Sequence, residues 1–187
     1  MRIVSLLPSA TEIVYALGLD DQLVGVTFEC NEPPQARTDK RVVVGGTDTS
    51  TMTVGQIDAY VREQVSAGRD LYTLDEGALA QLAPDLILSQ DLCRVCALPT
   101  GQVDAALEHL GCVAEVVTLD PYSLADVLAS IVAVGRAAGA ETKAAALVES
   151  LESRLVTVRG AVAGRERPRV AVVEWVDPLF TGRKKRK

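Results

Sequence analysis

Six short runs rich in β-branched residues alternate with helical stretches along this chain: Ile3 to Leu7, Leu23 to Phe28, Arg41 to Val44, Asp85 to Ser89, Val113 to Leu119 and Arg169 to Trp175. The runs are apolar on both faces, so each needs cover on both sides. A parallel sheet flanked by helices supplies that environment, and the pattern predicts an α/β fold with buried parallel strands.

The helices between the runs carry their own punctuation. Ser9-Ala10-Thr11-Glu12 reads as a capping box, with the Ser9 hydroxyl and the Glu12 carboxylate each satisfying a backbone N–H of the first turn, and Gly18 supplies the left-handed stop. A second helix is predicted from Val54 to Ala67, opened by Thr53 with Gln56 and closed at Gly68. A third should run from Asp75 to Leu82, stopped by Ala83-Pro84. After Pro99, Val103, Ala106, Leu107 and Leu110 recur at helical spacing up to Gly111. From Ser123 to Ala163 the pattern is helical with one interruption at Gly139: Leu124, Val127, Leu128, Ile131 and Val134 line one face before it, and Leu147, Leu151, Leu155 and Val158 line another after it. The final apolar strand then arrives with almost no chain after it, and one strand cannot make a domain.

With 48% of residues apolar and 24% charged, the composition is globular. No apolar run approaches the ~20 residues of a membrane helix, and the first strand begins too soon after Met1 to leave room for a signal peptide. The expected location is cytoplasmic as encoded, with a periplasmic or cell-surface location if the true start lies upstream. Of 19 bases, five sit at Arg183, Lys184, Lys185, Arg186 and Lys187, so in the rest of the chain 14 bases face 25 acids. A body that acidic repels phosphate backbones and argues against nucleic acid as a partner. Cys30, Cys93, Cys96 and Cys112 read as reduced thiols or metal ligands rather than a disulfide framework.

In an open parallel sheet, ligands bind beyond the carboxyl ends of the strands. The loops there are Pro8, Ser9, Ala10 and Thr11 after the first strand; Phe28, Glu29, Cys30 and Asn31 after the second; and Gly45, Gly46, Thr47 and Asp48 after the third. After the next core strand come Gln90, Asp91, Leu92 and Cys93. The helix N-terminus behind Pro8 offers free N–H groups, with simple capping as the alternative. Gly45-Gly46 lets backbone approach a flat ligand or makes a tight turn. Cys93-x-x-Cys96, with Cys30 at the same sheet edge, could form a redox pair or half of a zinc site; packed thiols are the alternative, since His109 is the sole histidine and sits on a helix. No phosphate-binding glycine motif occurs, and no Ser-His or Cys-His arrangement falls in these loops, so nucleotide binding and acid–base or nucleophilic catalysis have little support, and the expectation is no enzyme and no required cofactor.

The order of segments resembles the helical-backbone substrate-binding proteins of metal-chelate ABC importers, most closely the cobalamin-binding branch. The residues that carry the resemblance are Arg2 to Glu12, Leu23-Val24-Gly25-Val26 with Pro33-Pro34-Gln35-Ala36, Leu82-Ala83-Pro84-Asp85-Leu86-Ile87-Leu88, the long helix, and Val172-Val173-Glu174-Trp175 through Pro178-Leu179-Phe180-Thr181. The resemblance implies two Rossmann-like lobes joined by a long helix, with cobalamin or another metal chelate held between them. It divides the chain into a ligand-binding lobe at 1–122, an interlobe helical segment at 123–166, the first strand of a truncated second lobe at 167–182 and a basic tail at 183–187. It also makes Trp175 an aromatic wall for the ligand, with the alternative that an exposed Trp175, Pro178, Leu179 and Phe180 patch drives self-association. Importer relatives carry an acidic residue for docking on an ABC permease where this chain has Thr100, Gly101 and Gln102, so the docking acid is not evident. Thr49 to Leu74 reads as an insertion with a packing role. The competing functional reading is a cytoplasmic thiol or metal-binding protein using Cys30, Cys93 and Cys96.

Overall fold

The computed structural model describes residues 1–90, 100–110 and 112–181. A six-stranded sheet is built from β1 (Ile3–Ser5), β2 (Leu23–Thr27), β3 (Arg41–Gly46), β4 (Tyr72–Leu74), β5 (Leu86–Ser89) and β6 (Glu115–Thr118), in the spatial order β4-β3-β2-β1-β5-β6. Every pairing is parallel except β3 with β4, which is antiparallel. The helices are α1 (Pro8–Ala16), α2 (Pro34–Asp39), α3 (Val54–Ser66), α4 (Glu76–Leu82), α5 (Thr100–Leu110), α6 (Leu124–Ala137) and α7 (Glu141–Val162).

Successive side chains of a strand point to opposite faces, and the two cores follow that alternation. Ile3, Leu86 and Leu88 join Val14, Ala36, Ile131, Val134 and Ala144 on one face, while Val4, Val43 and Ile87 join Leu79, Val103 and Leu107 on the other. The sheet is thus covered on both sides, as the apolar runs require. Its strand order reverses at β1, with β2 and β3 leading one way and β5 and β6 the other. Such a reversal opens a crevice at the carboxyl ends of the strands.

Several local expectations are met. Thr53 and Gln56 form a reciprocal capping box on α3, and Gly18, Gly68 and Gly139 each take a positive φ at a helix end. Others are corrected. Ser9 and Glu12 do not cap α1, because the helix begins two residues earlier than that box requires, at Pro8, with extended Leu7 as its N-cap and no side-chain cap. A proline at the first helical position has its φ already set and lacks the N–H a cap would satisfy. The stretch from Thr49 to Leu74 does more than fill space, since it forms α3 and then β4, a short strand that pairs with the outer edge of β3.

The last apolar run is not a buried parallel strand. It forms β7 (Val173–Val176), which pairs antiparallel with β8 (Leu179–Thr181) in a separate two-stranded hairpin, with Val173, Val176, Leu179 and Phe180 all exposed. A tight turn at Asp177-Pro178 makes the nearest partner the next few residues of the chain, and the six-stranded sheet ends at β6 on one side and β4 on the other.

Helices α6 and α7 pack as an antiparallel pair against the sheet. At their closest approach a Cβ on Gly135 would lie 2.4 Å from the Cβ of Ala144, so only glycine admits this crossing. Away from it the helices splay. Leu124 and Leu128 face Leu155 and Val156 across a groove of about 330 Å³, and Leu124 and Val127, both expected on the buried face, are 53% and 42% exposed. On the far half of α7, Val156, Val158 and Val162 stand exposed.

Candidate functional site

The loops at the carboxyl ends of β2 and β3 enclose a cleft of about 570 Å³, lined by Phe28, Glu29, Asn31, Arg37, Gly45, Gly46, Asp48, Thr49 and Ser50. The β2 loop turns inward because the Thr27 hydroxyl accepts the Glu29 N–H at 3.1 Å and the Thr27 carbonyl accepts that of Cys30. That geometry buries Cys30 and leaves Phe28 and Glu29 in the cleft. Phe28 stacks at a tilt on Tyr72 from β4, with ring centroids 6.2 Å apart.

The two glycines differ in kind. A Cβ on Gly46 would meet the Phe28 ring at 2.7 Å, so Gly46 makes room for Phe28 rather than for a ligand. A Cβ on Gly45 would meet nothing within 4 Å, so the backbone there is bare. A ligand face can approach Gly45 closely.

Three charged groups line the cleft. Burial pushes the Glu29 carboxyl above its ordinary range, partly offset by the Tyr72 hydroxyl donating to it at 3.4 Å. Asp48 lies below its ordinary range, held there by hydrogen bonds from the Ser50 hydroxyl and backbone, with a smaller attraction from Arg37. Arg37 donates to the Asn31 side-chain oxygen at 3.0 Å. Beside this rim the hydroxyls of Thr47 and Tyr60 lie 2.6 Å apart.

The β1 loop does not contribute as expected. Ala10 and Thr11 are completely buried, Pro8 is half-buried, and of this group Ser9 alone is exposed. Beneath α1 the Cys30 thiol lies 3.1 Å from the Thr11 hydroxyl, which donates to Ser5 at 2.9 Å, and Ser5 donates to the Leu7 carbonyl at 3.0 Å. With the thiol as first donor, each proton in this chain is used once. Burial pushes the Cys30 thiol above its ordinary value; hydrogen bonding with Thr11 and with the Thr27 backbone offsets this in part, and the neighbouring Glu29 charge adds to it. A neutral thiol packed in a core is a poor nucleophile and a poor metal ligand.

Gln90 is half-buried at the end of β5. Asp91, Leu92, Cys93 and Cys96, and the basic tail, lie outside the described residues. Ser89, just before them, is wholly buried, and its hydroxyl has no hydrogen-bond partner among the described residues. Trp175 sits on the hairpin instead of the cleft wall, with its indole N–H donating to the Asp177 carbonyl at 2.9 Å. The hairpin turn nevertheless reaches the lobe: a carboxylate oxygen of Asp177 lies 3.3 Å from where a Cβ on Gly55 would be, in the first turn of α3. At the start of α5, Gln102 donates to the exposed Asp70 carboxylate at 2.7 Å.

Sequence reasoning missed Tyr72, Arg37 and Tyr60. Tyr72 is 43 residues from Glu29, and no local pattern links them. The usable signal was the rarity of aromatic residues, 4% of the chain, which makes two tyrosines within one apparent insertion conspicuous.

A doubly wound lobe with its cleft at the strand ends matches the profile of the periplasmic binding proteins, whose family model fits residues 3–183. The chain belongs to this family. Over 159 residues, 84% of the chain, it is 31% identical to an uncharacterized ABC transporter substrate-binding lipoprotein, YvrC, of Bacillus subtilis, and covers 40% of that protein. A 41-residue stretch, 22% of the chain, is 56% identical to 15% of the vitamin B12-binding protein of Vibrio cholerae. Two solved members share the fold. The vitamin B12-binding protein BtuF of Vibrio cholerae has a TM-score of 0.65 at 22% identity, with 96% of this chain and 58% of that one aligned. The haem-binding protein BhuT, in complex with two haems, has a TM-score of 0.65 at 24% identity, with 92% and 56% aligned. The chain therefore spans between about two fifths and three fifths of the length of these longer relatives. Their names describe periplasmic proteins and a lipoprotein and give no support to a cytoplasmic location. Among the described residues, no helix is long and apolar enough to cross a membrane.

Proposed function

We propose that this chain is the ligand-binding lobe of a substrate-binding protein that captures cobalamin or a related metal chelate, without chemistry of its own, for ABC-type uptake outside the cytoplasm. The observation that carries the reading is the cleft over Gly45, where bare backbone, the Phe28 ring and a few hydrogen-bonding side chains can meet a flat ligand. The 41-residue likeness to a B12-binding protein favours a corrinoid within the family's range of chelates. Asp70, held beside the start of α5 by Gln102, offers an exposed carboxylate close to where the resemblance puts the acidic residue for a permease. The exposed hairpin apolar surface favours self-association when nothing else covers it.

Calorimetric titration with cyanocobalamin tests the reading. Saturable one-to-one binding is expected, weakened by Gly45→Leu, which fills the bare backbone face. Binding of neither cyanocobalamin nor haemin would overturn it.

A further inference from the structure

The cleft holds two carboxylates, Glu29 and Asp48, against one guanidinium, Arg37, and that guanidinium is already engaged by Asn31. Any ligand laid over Gly45 and against Phe28 brings its edge to these groups. Glu29 is the more consequential of the two carboxylates, because it is half-buried and has less water to screen it. Tyr72, from the edge strand β4, donates to it at 3.4 Å. A ligand edged with amides offers N–H donors that carboxylates accept, whereas a ligand edged with carboxylates must bring like charge beside Glu29 or force it to take up a proton.

Resting on the binding reading above, we infer that Glu29 is a charge-selecting residue that admits amide-edged tetrapyrroles and excludes carboxylate-edged ones. A corrinoid carries amides around its rim, and a haem carries two propionates. The discrimination is by repulsion as much as by attraction, which is how a shallow cleft with few contacts can separate ligands of similar shape and size.

The test is a matched pair of titrations, with cyanocobalamin and with haemin, on the whole chain and on Glu29→Gln and Asp48→Asn. The unaltered chain should bind cyanocobalamin at least about tenfold more tightly than haemin. Glu29→Gln should strengthen haemin binding by about tenfold and weaken cyanocobalamin binding, so that the ratio of the two affinities falls by at least about tenfold. Asp48→Asn, on an exposed loop where folding is not at stake, should shift haemin binding in the same direction by a smaller factor. Equal or tighter haemin binding by the unaltered chain, or an unchanged ratio in both variants, would overturn the inference while leaving a chelate-binding lobe intact. Failure of the unaltered chain to bind either ligand would remove the binding reading and this inference together.

Discussion

Gly135→Ala is the substitution whose effect follows most directly from the structure. In an isolated helix the change stabilises by about 1 kcal/mol, because glycine loses more backbone freedom on folding. Here the new methyl would lie 2.4 Å from the Cβ of Ala144 and 3.4 Å from the Ala140 carbonyl oxygen. Carbon atoms pack at roughly 3.5–4 Å, so the two helices must part by about 1 Å at their tightest point. Both residues are buried, and Ala144 is the one buried residue of α7. Overpacking of this kind costs about 1–3 kcal/mol, and parting the helices also loosens Leu147 and Leu151 from the core. The net expectation is a loss of about 1–2 kcal/mol, or several degrees in melting temperature for a chain of this size. Urea denaturation of Gly135→Ala, Ala144→Gly and the double variant measures it. The double variant should be more stable than the sum of the two singles predicts by about 1 kcal/mol or more, since the methyl removed from α7 makes room for the one added to α6. A single Gly135→Ala variant as stable as the unaltered chain, or strictly additive singles, would refute the packing argument.

Three further expectations concern the sheet end. The folded state raises the pKa of Glu29, so the stability linked to its protonated form is fully present below the ordinary carboxyl range and is lost as pH rises through the raised value; Glu29→Gln should therefore be more stable than the parent at neutral pH and lose that advantage in acid, and a pH-independent difference in denaturation midpoints would contradict this. Thr11→Val keeps the shape but takes from Ser5 its donor and from Cys30 its partner, and equilibrium unfolding should show a loss of about 1–3 kcal/mol, with a neutral result arguing against the buried network. Ser89→Ala removes a buried hydroxyl without a hydrogen-bond partner among the described residues and should raise stability by roughly 1 kcal/mol; a drop in the melting temperature would show that the hydroxyl is engaged.

The central strands were legible because burial on both faces leaves a run such as Leu86-Ile87-Leu88 with no polar residue to interrupt it. Thr53 with Gln56, and the glycines at 18, 68 and 139, were legible because capping chemistry is local. β4 was not, since three residues at a sheet edge, paired antiparallel and half-exposed, carry no periodic signature. The apolar stripe of α6 marked the face but not how far along the helix that face is covered, so Leu124 read as core although the groove beside α7 leaves it in solvent. The cleft was half legible. The strand-end rule selected Phe28, Glu29, Gly45, Gly46 and Thr47, whereas burial of Cys30 depends on the inward turn after Thr27, and the contact of Tyr72 with Glu29 depends on the pairing of Tyr72 with Gly46 across 26 residues.

Helix α7 is gripped most tightly near its first turns. Its first turns are clamped through Ala144, and from Val156 onward its apolar residues stand in solvent, over a total length of about 33 Å for 22 residues. A tilt of about 5° at the Ala144 pivot displaces the far end, about 27 Å away at 1.5 Å per residue, by roughly 2 Å. The hairpin carried beyond that end inherits the displacement, and Asp177, which rests against Gly55, would move with it. The small residues at one helix crossing would thus set how far the hairpin stands from the strand-end cleft.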